Sequence, residues 1–212
     1  MNTSSFQGIA KLASPTRQNV SAVNSLTNKK MNIFAIDNSP IKSGRQLCDK
    51  HCVKQILESF QMLGSAVIRH GATPDQMPLT SKGTPLKGGY KHHPSTLWAG
   101  ENYSNFLWLC SHAIEMSNEY TRRYKKIHAC TKGIYHLLNM GQRFLPSGEQ
   151  TPFSVAINED MECRKIKDFD KLNPVTQYRL YYKLDKAHLA TWKQNKPKWY
   201  NYSVEKLIEA KI

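Results

Sequence analysis

Apolar residues along this chain recur mainly at three- and four-residue steps, the spacing of one helix face, and show no sustained strand-like alternation. Between Cys48 and Leu63, the residues Cys52, Val53, Ile56, Leu57, Phe60 and Leu63 make one such face, with His51, Lys54, Glu58 and Gln61 on the other. Their steps stack an imidazole, an amine, a carboxylate and an amide along one edge within about 15 Å of helix rise. That edge either lines a site or is a solvated face carrying a Lys54–Glu58 pair. Ser43 and Gln46 have capping-box spacing, which predicts a helix start near 43 and makes Asp49 an interior residue. An interior carboxylate needs a partner, so Asp49 is a hydrogen-bonding hub, a site residue or a local cap.

Three further helices follow from the same periodicity. One runs from Asn102 to about His128 through Phe106, Leu107, Leu109, Cys110, Ala113, Ile114, Met116 and Tyr120, and ends on Arg122, Arg123, Lys125 and Lys126. The helix macrodipole accounts for part of that basic end, and nucleic acid for the excess. Another covers Lys132 to Met140, and Pro174 opens the last, from Val175 to about Gln194. The predicted fold is a mainly α single domain with long loops, packed around Ile56, Phe60, Phe106, Leu109 and Ile114. Gly71–Gly89, with its three prolines and Lys82 and Lys87, reads as a basic loop that is mobile or touches DNA backbone. His93-Pro94-Ser95-Thr96 ends the connection and caps the next helix.

Residues 1–30 have no acidic residue and little apolar period. They read as a disordered basic leader, a transit segment, a DNA-binding arm or a non-native start ahead of Met31. The domain is predicted over 31–205, with 206–212 as a tail.

Composition narrows the partner. Thirty Lys and Arg against sixteen Asp and Glu leave a net charge of +14, which favours polyanions and makes duplex DNA the expected partner. No apolar run has membrane-spanning length. The five cysteines form an odd set without a CxxC pair, fitting a reducing compartment: the cytoplasm, or the host-cell cytoplasm for a viral chain. Cys48, His51 and Cys52 present metal-ligand types on one helix, but a fourth ligand would have to come from His92, His93 or His112. No metal and no cofactor are expected, and the chain is expected to be a monomer. At the C-terminus, Pro197-Lys198-Trp199-Tyr200-Asn201-Tyr202 interleaves rings with lysines. This is what a base-stacking, phosphate-gripping surface requires, and also what a staple fastening the tail to the core would look like.

These residues resemble the phage-type pyrimidine-dimer DNA glycosylases, the endonuclease V of the bacteriophage kind. Asp49, His51 and Glu58 match the family's first helix without a gap, with Glu58 at the position of its catalytic Glu. His93-Pro94-Ser95-Thr96 through Asn105-Phe106-Leu107-Trp108 is similar to its Ser-Pro-Thr segment and following helix. Pro197 to Tyr202 is similar to its aromatic C-terminal segment. The resemblance spans 31 to about 205, with insertions near 70–90 and 140–170, and marks a distant relative. A pattern shared with uncharacterised phage and bacterial proteins is nearer: Asp49, His51, Lys54, then His93-Pro94, then Glu119, Tyr120, Arg123 and Tyr124.

The resemblance implies a DNA base-excision glycosylase acting on a damaged or modified pyrimidine, with or without abasic-site lyase activity. Glu58, His51, Asp49 and Lys54 are its implied catalytic set. Arg122, Arg123, Lys125, Lys126, Trp199, Tyr200, Tyr202 and His93 are its DNA contacts. The family attacks the sugar C1′ with the α-amino group of an N-terminal Thr, whereas Asn32 follows Met31 here. Lys54 is a substitute amine, and a water activated by Glu58 needs none. The competing readings are a non-catalytic DNA-binding accessory protein on the same scaffold, and a nuclease or nucleotide hydrolase, for which Asp49, Glu58 and Glu119 form a poor magnesium site.

Overall fold

Ser39 and Pro40 set the first helix, because the Ser39 hydroxyl accepts from the Lys42 amide and Pro40 is preorganised for the opening turn. The computed structural model describes residues 32–210. The leader 1–30 lies outside the described residues. Seven α-helices follow in order: α1 (Pro40–Gln46), α2 (Asp49–Arg69), α3 (Pro94–Ala99), α4 (Tyr103–Tyr124), α5 (Thr131–Phe144), α6 (Pro174–Leu184) and α7 (Val204–Glu209). Among the described residues there is no strand, only an isolated bridge between Leu79 and Pro85. The mainly α expectation therefore holds. α2 and α4 form the central pair, with α1 and α5 packed on α4 and α3 on α2.

The core contains Ile56, Phe60, Phe106 and Leu109 as predicted, whereas Ile114 is only half-buried. Two close approaches set the helix spacing. A Cβ at Gly44 would lie 2.6 Å from the His112 carbonyl oxygen, so α1 crosses α4 backbone to backbone. At Gly141 it would meet the Phe106 ring at 2.4 Å, which seats α5 against α4.

The predicted start near residue 43 is corrected by a break. Leu47 and Cys48 are extended (ψ 146° and 164°), so α1 ends before α2 begins. Ser43 is no cap. Its hydroxyl donates to the Phe34 carbonyl and accepts from the Ile36 amide, pinning the buried run 32–36 against α1. Asp49 accordingly stands in the first turn of α2, where the helix dipole favours a carboxylate.

The basic loop after α2 is docked. Ser65 Oγ donates to the Gly89 carbonyl at 2.7 Å and accepts from its amide at 2.8 Å, and Met77 and Leu86 are buried, leaving Lys82 and Lys87 exposed. The last predicted helix is shorter than its pattern. α6 stops at Leu184, and the chain continues as a strap across the α1–α2 junction, with Trp192 Nε1 donating to the Gln46 carbonyl and Asp49 N to that of Thr191. No helix among the described residues is long and apolar enough to cross a membrane.

Candidate active site

The two faces predicted for α2 are rotated in the folded chain. Val53 and Leu57 are exposed, at 39% and 46%, while His51 and Glu58 are buried. The cause is tertiary. The run 32–36 and α6 cover the His51 side of α2 through Phe34 and Tyr182, and the exposed stripe becomes Lys50, Val53, Lys54 and Leu57.

Under that cover, Phe34 stacks on His51 with ring centroids 4.3 Å apart, and His51 Nδ1 lies 2.5 Å from the Tyr182 hydroxyl. Burial, helped by the charges of Lys186, Lys54 and His188, lowers the His51 pKa to about 3, so the imidazole is neutral and serves as a fixed hydrogen-bonding and stacking group. Phe34 holds the left-handed conformation (φ 51°), which is unfavourable for a side chain of its size. Lys186 rests over the Tyr181 ring at 4.7 Å. Its amine is held below the ordinary lysine value first by burial and then by Lys54, against the pull of Asp185.

Glu58 is the buried carboxylate of α2. Its Oε1 lies 2.9 Å from Lys54 Nζ, and its Oε2 has no hydrogen-bond partner among the described residues. Lys54 is largely exposed, so the pair couples a buried acceptor to a surface amine. Chemically this is a carboxylate able to take a proton or face developing positive charge, with an amine beside it.

The other expected catalytic residue separates from this group. Asp49 is nine residues before Glu58, half a turn round the helix. Its Oδ1 accepts from Arg123 Nη1 at 3.1 Å and from the Lys193 amide at 3.2 Å. Asp49 is thus a junction hub set apart from the Lys54–Glu58 pair.

Arg123 is likewise corrected as a DNA contact, because its side chain is fully buried. Its guanidinium donates to Glu119 Oε1 at 2.7 Å and to the Leu47 and Arg45 carbonyls, closing the end of α1. Burial pushes Glu119 up, but hydrogen bonds from Arg122, Arg123 and Asn195 outweigh it and hold the carboxyl below its usual range. Arg122 is partly exposed but paired with both Glu119 and Glu115. Lys125 and Lys126 are exposed.

Trp199 is buried as well. Its Nε1 donates to Gln46 Oε1 and its ring takes the Arg179 guanidinium at 5.3 Å, which is the staple arrangement and not a free stacking platform. Tyr200 is half-buried between Lys183 and Lys196, and Tyr202 carries Lys206 over its ring. His93 caps α3, its Nδ1 accepting from the Ser95 amide. No sequence signal marks Lys186 and His188, which have no motif and whose charges act on His51, nor Gln55 beyond its position one turn before Glu58.

A family model described as pyrimidine dimer DNA glycosylase matches residues 31–132. The matched stretch contains His51, Lys54, Gln55 and Glu58 and excludes the C-terminal strap. No curated protein and no solved structure matches the chain.

Proposed function

We propose, from the match of residues 31–132 to the pyrimidine dimer DNA glycosylase family, that the chain is a DNA N-glycosylase removing a damaged or modified pyrimidine from duplex DNA. The observation that carries this reading is Glu58: a buried carboxylate at the family's catalytic spacing, with the Lys54 amine 2.9 Å from its Oε1. Such a group suits the positive charge that grows on the sugar as the base departs.

Two routes use it. In the hydrolytic one Glu58 takes a proton as a water oxygen bonds to C1′, the N-glycosidic bond breaks, and its electron pair leaves with the base. In the other Glu58 takes a proton from Lys54, whose freed amine bonds to C1′ as the base leaves with the glycosidic electron pair; the C1′–O4′ bond then opens to an imine that water later releases. The exposed Lys50, Lys125 and Lys126 hold the phosphates in either case.

The alternative of a DNA-binding protein without catalysis rests on Asn32. Where the family's Thr would supply an amine, this side chain is tied to the Ala156 carbonyl and the Tyr178 hydroxyl. A panel of duplexes carrying damaged and modified pyrimidines, incubated with and without borohydride, tests the proposal. Base release without trapping supports the hydrolytic route, and a trapped adduct mapped to Lys54 the amine route. Binding without release from any duplex would favour the alternative.

A further inference from the structure

Three buried polar atoms without a partner among the described residues fall within one turn of α2: Gln55 Oε1, Glu58 Oε2 and Ser59 Oγ. The residues are 2%, 4% and 1% exposed. Gln55 is one turn before both Glu58 and Ser59, at i+3 and i+4, so its Cβ stands about 5–6 Å from each of theirs. Partnerless polar atoms also occur at Ser95, Thr96 and His112, but only this set includes the Glu58 carboxylate.

Ser59 is the informative member. A helical serine or threonine ordinarily satisfies its hydroxyl on the carbonyl four residues back. Ser117 and Thr121 on α4 do so, at 2.9 and 3.1 Å. Ser59 forgoes that bond, although it is almost completely removed from solvent. Leaving such groups unmade is costly, so a partner for them is expected. Two acceptors and one hydroxyl donor are the complement of a single water molecule, which offers two protons and accepts one.

We propose that Gln55 and Ser59 are positioning residues that hold a buried water against Glu58 Oε2, fixing the carboxylate so that Oε1 and Lys54 face the DNA. This rests on the glycosylase reading for its catalytic consequence, though not for the water itself. The water donates to Gln55 Oε1 and Glu58 Oε2 and accepts from Ser59 Oγ.

The test has one arm independent of activity. A crystal structure resolving ordered water should show one within hydrogen-bond distance of all three atoms, and lost in Gln55→Met. On a duplex that the wild type cuts, Gln55→Met should lower single-turnover kcat about tenfold, one hydrogen bond's worth at the carboxylate, with DNA Kd unchanged. Ser59→Ala should do the same more weakly, and serves if the first variant does not fold. In a Glu58→Gln background neither change should lower the rate further, because both act through that carboxylate. Absence of the water, or an equal rate loss from Gln55→Met in both backgrounds, overturns the proposal. If the wild type cuts nothing, the glycosylase reading fails and the water alone decides this one.

Discussion

Arg123 brings a charge into the interior, and its guanidinium makes four hydrogen bonds, to the Glu119 and Asp49 carboxylates and to the Arg45 and Leu47 carbonyls. Removing it leaves Glu119 buried beside only the partly exposed Arg122 as a charged partner. Arg123→Met is therefore expected to destabilise by roughly 3–5 kcal/mol, the usual cost of breaking a buried pair. Arg123→Lys should not restore the loss, because an ammonium cannot reproduce the fork. Denaturant melts check both, and a variant within 1 kcal/mol of wild type would contradict the assigned role. This residue also marks where sequence reading ended. The one-turn spacing of Lys54 and Glu58 predicted their contact, but a run of cations at a helix end looks the same whether it faces phosphates or folds inward onto Glu119. Trp199 is a parallel case, since the spacing of rings and lysines does not say which side of the strap is covered.

At the level of elements, α2, α4 and α5 were legible because each buries a stripe at helical period. α1 was not, because seven residues with a single glycine contact carry too little pattern, and the break at Leu47 and Cys48 contains neither Pro nor Gly. The rotation of α2 was invisible for a different reason: Phe34 and Tyr182, which cover His51, lie in a short run before α1 and in α6, the latter remote from it in sequence. The α1–α4 crossing gives a sharp test. Gly44→Ala places a methyl 2.6 Å from the His112 carbonyl oxygen and 3.3 Å from Glu115 Cβ, so the helices must separate. A loss of about 1–3 kcal/mol is expected, as for overpacking elsewhere. An unchanged melt would show that the crossing is looser than described.

Over the whole molecule the net charge of +14 is not a uniform field. Arg45, Arg122, Arg123, Arg164 and Arg179 are spent on carboxylates, whereas Lys50, Lys82, Lys87, Lys125 and Lys126 remain exposed. Affinity for duplex DNA should fall steeply with salt, and Lys125→Ala with Lys126→Ala should reduce the slope of log K against log salt by about 2, one per lost phosphate contact. A slope unchanged by that pair would move the DNA track elsewhere. Single-turnover base release by Glu58→Gln, run beside a thermal melt, tests the role of this carboxylate most directly. Because Lys54 is mostly exposed, the ion pair is worth under about 1 kcal/mol and the melt should barely move. The rate should fall at least about 100-fold, the range for losing a proton-handling or charge-stabilising group. A Glu58→Gln protein that releases the base at the wild-type rate would contradict the account.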